Sequence, residues 1–562
     1  MFSNLAIFIF FYIFIIFSIV GYGFLISGLT KGRYNISNNL GYLGLCGLFL
    51  LGIYSYFSSI FIKHDYLHNS IILLIGALSF FYFGKTNFKK YKSDIYKLII
   101  VFSILFISSL IYKMHDDFPY YHFPYSYLLT ENSLIVGLGQ LNLGFRTPSS
   151  LFYLNSILYL PLIKFYMFMM PSILILGFVN LIIYKKIINC FKLRNISYIT
   201  FFSLLILIFI NIFFYRIGEH GTDKSAQILI FLLIIEFLIF LEKSKISNKI
   251  LSKIYLLTGL IISLKAFYVL YATILLILFF EVLKKKNFFN SIKLFLRNSF
   301  FIPFLIFFIF ILLSYFVNTG CLVYPVSITC FENFSWSITK AEVRELNNWY
   351  ELWSKAGAGP NHRVENPTEY ISQFNWVSNW IDKYFFNKVS DFLLGIIFLL
   401  VITNFFFYSS EKKKIIFPKI KILLILLLLL FFEWFYNHPA LRYGGYAVIV
   451  SIIFLISSIR LSKYKLPILK IKRRFNAIIL ITIIIFLGRN MNRIIEEINV
   501  YSYKPLTEVN YRVKSTYYDL PNLIKNKIRN YELCLKENIN CDNEDKIKIK
   551  KIYNVYIIQN KK

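Results

Sequence analysis

Two adjacent carboxylates, Asp116 and Asp117, stand in "MHDDFPYYHFPYS" (114–126). Neighbouring acids resist joint ionisation unless a cation, a proton or a substrate hydroxyl relieves them, so the pair is a candidate general base or metal ligand. As a solvated collar at a membrane boundary it would do no chemistry. A second cluster, "YRIGEHGTDKSAQ" (215–227), holds Glu219, His220, Asp223 and Lys224 within six residues. Helix capping by Thr222 or Asp223 accounts for one of these four charges and leaves the rest as candidates for substrate contact. Lys265, in "GLIISLKAFYVLY", is a cation among apolar residues. Ionisable groups at membrane depth are functional hypotheses by default, with snorkelling to the surface as the alternative. In "EWFYNHPALRYGGYAV" (433–448), His438 and Arg442 lie at a turn between apolar runs. Arginine makes bidentate contacts with phosphate oxygens, and Gly444 and Gly445 permit close approach of backbone or ligand.

These groups need elements to hold them, and composition says which. Of 562 residues, 57% are hydrophobic and 20% aromatic, which excludes an ordinary soluble domain. Runs such as "LAIFIFFYIFIIFSIV" (5–20) and "ILLILLLLLFF" (422–432), with their flanks, cross about 30 Å of hydrocarbon as helices. The first has no basic leader and no small-residue cleavage pattern, so it reads as a retained helix. Helices are expected near 5–29, 40–62, 68–84, 98–112, 162–184, 197–215, 225–241, 298–317, 391–408, 419–436, 441–459 and 475–488.

A net charge of +32 would suggest nucleic acid in a soluble chain, but here the bases cluster in short connections at 85–97, 185–194, 243–253, 284–297, 412–421 and 460–474. The positive-inside rule puts these in the cytoplasm, and no nucleic-acid partner is expected. Segment 254–283 lies between two such clusters and is too short for two full spans, so it reads as a short hairpin with Lys265 near its tip. The loops at 113–150, 216–224, 318–390 and 437–441 and the tail then face outward. The stretch 130–162, which contains Arg146, has repeated Gly and amphipathic character and reads as a loop followed by an interfacial helix. Cys321 and Cys330 share one outer loop and Cys534 and Cys541 the outer tail, which fits disulfides on an oxidising side. Five of six tryptophans (Trp336, Trp349, Trp353, Trp376 and Trp380) fall in loop 318–390. They form either an interfacial belt or a platform for sugar rings.

An acidic pair in the first large outer loop, an interfacial segment after it, a short hairpin bearing a lysine, and a late "RY" at an outer helix junction together resemble the GT-C glycosyltransferases. The nearest comparison is with polyprenyl-phosphate-sugar enzymes such as aminoarabinose transferases and protein O-mannosyltransferases. The resemblance spans residues 98–450 in order of features. It implies an all-α polytopic membrane protein with a GT-C-like bundle of about 12–14 transmembrane helices. Its transmembrane domain would be 1–488, with 113–161 as first outer loop, and 489–562 an extracytoplasmic tail.

The implied activity is transfer of a sugar from a polyprenyl-phosphate donor to a glycan, lipid or protein acceptor, at the outer face of the inner (plasma) membrane. By the same resemblance Asp116 or Asp117 serves as base. Lys265, Arg442 and His438 hold the donor phosphate, and Glu219, His220, Asp223, Arg146 and Tyr443 contact substrate or form a second acidic site. Relatives of this kind carry a "DxP"-like second acidic motif where this chain has "GEHGTDKSAQ", and they differ in metal dependence, so a divalent metal stays open. A lipid-linked oligosaccharide flippase or an O-antigen-type polymerase or ligase are the competing readings.

Overall fold

A backbone in hydrocarbon has no solvent to bond and must pair with itself, so the apolar runs fold as helices. The computed structural model describes residues 2–30, 36, 39–86, 88–219, 221–242, 247–359, 363–412, 420–506, 513–536, 547–553 and 555–560. It is 77% helical, and among the described residues ten helices are long and apolar enough to span a membrane. The chain is an all-α, multi-pass membrane protein.

Among the described residues the shorter apolar helix Tyr198–Ile212 accompanies these ten. α1 (Phe2–Leu29), α2 (Leu40–Phe61) and α3 (Tyr66–Thr86) pack side by side. α4 (Phe88–Leu105) starts ten residues earlier than expected, in a lysine-rich turn, and stops at a 3₁₀ turn over Phe106–Ser109. The segment 113–161, expected to be the first outer loop, carries α5 (Phe123–Glu131), strand β1 (Ile135–Val136) and α6 (Ser150–Ile157). α7 (Met170–Lys192) begins eight residues later than expected, where Pro171 occupies its first turn. α8 (Tyr198–Ile212) and α9 (Thr222–Glu242) follow, and α9 is buried on all sides from Ser225 to Leu238. It is the central helix of the bundle.

α10 (Asn248–Leu264) runs up to Lys265, and the chain returns through a 3₁₀ segment (Ala266–Ala272) and α11 (Thr273–Leu283) to α12 (Phe288–Leu296). Asn298 closes this excursion: its amide donates to Asn248 O (3.0 Å) and its Oδ1 accepts from Ser252 (3.1 Å), both at the foot of α10. α13 (Phe301–Thr319) leads to a second long connection with α14 (Lys340–Lys355), α15 (Pro367–Ile371) and α16 (Val377–Trp380). α17 (Ser390–Phe407), α18 (Lys421–Asn437), α19 (Gly445–Ser462) and α20 (Ile468–Tyr501) complete the bundle. Past them lie α21 (Asp519–Lys536) and the hairpin β2 (Ile547–Ile552) and β3 (Val555–Asn560). β3 joins β1 in parallel, Ile135 opposite Tyr556, so the tail is stitched onto the first outer loop.

The lysine-rich connections meet at one end. Asp94 pairs with Lys185, and the fully buried Glu236 takes Lys186 together with Lys253 (3.2 Å). Lys465 pairs with Glu411 (3.0 Å), and the Phe475 ring meets Phe191 and Phe407, each at 5.1 Å. Asp117, Glu219, Lys265 and Arg442 gather at the opposite end.

Two sequence expectations change. α6 is enclosed by protein on every side rather than lying along the membrane. Its polar atoms explain why: Ser156 bonds His64 (2.6 Å), Ser149 donates to Leu264 O (2.7 Å) and Ser150 meets Ser263 (2.9 Å). The expected boundary at 488 falls inside α20, which runs unbroken to Tyr501. Cys321 and Cys330 form a disulfide, whereas Cys534 has no disulfide partner among the described residues and Cys541 lies outside them.

Candidate functional site

The turn between α18 and α19 is fixed through its backbone. Trp380 Nε1 donates to Pro439 O (3.0 Å) and Trp434 Nε1 to Ala440 O (2.9 Å), while Leu441 N–H donates to the Tyr384 hydroxyl (2.8 Å). Arg442 O accepts from Gln227 Nε2 (2.9 Å) and the Tyr268 hydroxyl (3.1 Å). Gly444 adopts φ +106°, a left-handed conformation that a side chain would strain, and so lets α19 start at once.

A backbone held by five side chains aims one side chain. The Arg442 guanidinium lies over the rings of Trp353 (4.6 Å) and Tyr443 (5.0 Å), donates to the Tyr443 hydroxyl (3.2 Å), and keeps a buried Nε with no partner. Burial works against its charge, but Tyr443, Asp223 and Asp117 outweigh it and hold Arg442 above the usual arginine range.

His438, in the same turn, faces the Phe267 ring (5.6 Å) and has a buried, unpartnered Nδ1. Burial first, then the charges of Lys355 and Lys265, lower its pKa from 6.5 to about 4. The folded protein thus binds fewer protons at His438 than the unfolded chain does. The associated stability is fully present above pH 6.5 and is lost as pH falls toward 4. Thermal unfolding of the wild type between pH 7 and 4 is expected to show this decline, and His438→Gln to flatten it.

Lys265 marks the break in the α10–α11 excursion. α6 takes Leu264 O and Ser263, and Lys265 then leaves the helix in extended conformation (φ −159°, ψ 120°). Its ammonium pairs with Asp223, in the first turn of α9, and sits 4.8 Å from the centre of the Tyr443 ring. Both charged side chains stay in reach of solvent, Lys265 at 29% and Asp223 at 19% exposure.

The acidic pair splits. Successive residues in a helical turn point about 100° apart, and here Asp116 is exposed while Asp117 is partly covered, its side chain 34% exposed. Asp117 accepts from the Tyr121 hydroxyl (3.2 Å), and its own N–H donates to His115 Nδ1 (3.1 Å). A π-turn over Phe118–His122, opened by Pro119, swings Tyr121 back over Asp117, and Gly144 leaves room for the ring, since a Cβ there would lie 2.2 Å from Tyr121 Cγ. Enclosure and the Asp117 charge raise the Tyr121 pKa, and the ring also senses Arg442, Asp223 and Tyr350. Tyr121 is therefore the common neighbour of groups drawn from the first outer loop, α9 and the α18–α19 turn.

What holds the Asp117 loop lies on α20. Glu497 Oε2 accepts from the N–H groups of Tyr112 (2.6 Å) and Lys113 (3.1 Å). Arg493 bridges Glu497 Oε1 (2.6 Å), Glu219 Oε1 (2.6 Å) and Lys113 O (3.2 Å). His115 N–H donates to Glu219 O (2.9 Å). Replacing Arg493 with Gln leaves the nearly buried Glu497 carboxylate without a cation and removes one of the two arginines on Glu219. It is expected to cost about 3–5 kcal/mol, seen as a lowered midpoint in chemical unfolding.

The structure thus brings Asp117, Asp223, Lys265, Arg442, Tyr443 and His438 together. Asp116 stays apart in solvent, and Glu219 is neutralised by Arg216 and Arg493 in the network beneath. Arg146 is spent on Gly139 O (2.9 Å) and Glu342 (2.6 Å), tying the first outer loop to α14. His220 lies outside the described residues. Of the loop tryptophans, Trp353 reaches Arg442, Trp380 and the fully buried Trp376 belong to the packing under the turn, and Trp336 packs against Phe316 and Phe334.

Sequence reasoning missed Tyr121, Gln227, Arg493 and Glu497. "FPYY" beside the acids pointed to Tyr121, but nothing local marks two charges on the last long helix. Among the described residues no group of three or more His, Cys, Asp or Glu side chains is placed to hold a metal ion.

No curated protein and no solved structure matches the chain. A family model does, over residues 4–450, a region that includes every charged residue of the cluster and ends before Arg493. The chain belongs to the family described as Domain of unknown function (DUF8201).

Proposed function

We propose that this protein is an integral membrane glycosyltransferase that moves a sugar from a polyprenyl-phosphate donor to a cell-envelope glycan, lipid or protein acceptor. The observation that carries the reading is the meeting of Asp117, Asp223, Lys265 and Arg442, residues hundreds of positions apart, at the end remote from the lysine-rich connections. By the positive-inside rule that end is extracytoplasmic, and the membrane is the plasma membrane.

The chemistry follows from charge. Arg442, with an unpartnered Nε, and Lys265 bind the phosphate and stabilise the negative charge that grows on it as the anomeric C–O bond breaks. The acceptor oxygen attacks the anomeric carbon from the opposite face. Its proton passes to the Asp117 carboxylate, and the configuration inverts. Asp223 balances Lys265 until the phosphate arrives. Trp353 and Tyr443 back the Arg442 guanidinium with their ring faces and so hold it for the phosphate.

The test is transfer of a labelled sugar from polyprenyl phosphate by the full chain in detergent, with and without added divalent metal. A flippase needs a closed membrane and yields no new glycosidic bond in detergent. Absence of transfer across a panel of envelope acceptors, with lipid movement in vesicles instead, would replace this reading with transport.

A further inference from the structure

The foot of the α10–α11 excursion carries a cleft unrelated to the cluster just described, at the opposite, lysine-rich end. Its volume is about 630 Å³, and Lys285, Lys286, Lys293 and Arg297 line it together with Asn287 and Asn290. No carboxylate is among its lining residues, and the nearby Glu281 is already paired with Lys284.

The spacing makes this a built face rather than a scatter of bases. Asn290, Lys293 and Arg297 recur at intervals of three and four, which stacks them on one side of α12, and Lys286 joins them from the turn before it. Ser291 and Phe295 point inward, the latter against Phe279 (5.4 Å). Beside the basic stripe stand Phe288, Phe289 and Leu296, 56%, 81% and 51% exposed. Large apolar groups held out beside a cationic stripe are the pattern of a helix lying in the bilayer interface, with rings among the acyl chains and cations at phosphate level. A site for a soluble anion would have no use for Phe289.

We infer that this cleft is a binding site for the headgroup of an anionic phospholipid on the side of the lysine-rich connections. Phosphate oxygens accept from Lys286, Lys293 and Arg297, the asparagines bond the glycerol, and Phe288 and Phe289 flank the chains. The bound lipid secures the foot of the excursion whose break bears Lys265, and it does so whatever reaction the far end performs.

The experiment uses the full chain in neutral detergent, with phosphatidylglycerol, phosphatidylcholine and inorganic phosphate as separate probes and binding read by native mass spectrometry. The wild type is expected to prefer phosphatidylglycerol to phosphatidylcholine by about tenfold or more. The triple variant Lys286→Gln, Lys293→Gln, Arg297→Gln is expected to reduce that preference to about twofold or less, with each single variant intermediate. These side chains are exposed, so unchanged gel-filtration elution is expected and checks the fold. Equal binding of both lipids by the wild type, or an undiminished preference in all variants, would overturn the inference. So would inorganic phosphate competing as well as the lipid, which would make the cleft a soluble-anion site.

Discussion

Asp117→Asn is expected to slow sugar transfer by about 10²–10⁴-fold, while Asp116→Asn stays within about twofold of the wild type. The two residues are chain neighbours of the same type, so the contrast isolates geometry. Asp117 alone accepts from Tyr121, whose ring senses Arg442 and Asp223, and it is the less exposed of the two. Asparagine keeps the volume and accepts the Tyr121 bond but cannot take a proton, so the loss belongs to kcat and leaves donor binding nearly untouched. Single-turnover transfer with saturating donor measures it. Equal losses in both variants would detach the chemistry from Asp117 and move attention to Asp223.

The second large effect is at Arg442. Lysine there keeps the charge but loses the plane that lies on Trp353 and the fork that reaches Tyr443 while leaving Nε for a ligand. Transfer by Arg442→Lys is expected to fall by about 10²-fold or more, with weaker donor binding as well, because the guanidinium meets the phosphate before and during bond cleavage. The fold is expected to survive, since the turn is held by its backbone atoms and not by the arginine side chain. Titration of polyprenyl phosphate into both forms separates binding from rate, and unchanged affinity and rate would remove Arg442 from the site.

The helical bundle was legible because apolar runs and lysine-rich connections report the bilayer directly. So was the excursion around Lys265, because two basic clusters bounded a segment too short to cross twice. Each cluster residue was visible as a charge out of place, but not its partner. Which of Asp116 and Asp117 meets Tyr121 depends on a π-turn and on the space at Gly144, and neither has a one-residue signature. Glycine and amphipathic spacing in 130–162 suggested an interface, yet Ser149, Ser150 and Ser156 find their bonds inside the protein. Arg493 and Glu497 were illegible for a different reason: an Arg and a Glu four apart on a helix look like an ordinary solvated pair until the partner loop is seen.

That last helix has a bearing on how the protein is handled. The match to the family model stops at 450, but the struts under the Asp117 loop are planted beyond it. A piece cut at that limit would keep every reactive group and lose the footing of one of them, so an inert fragment would say nothing about the chemistry of the intact molecule.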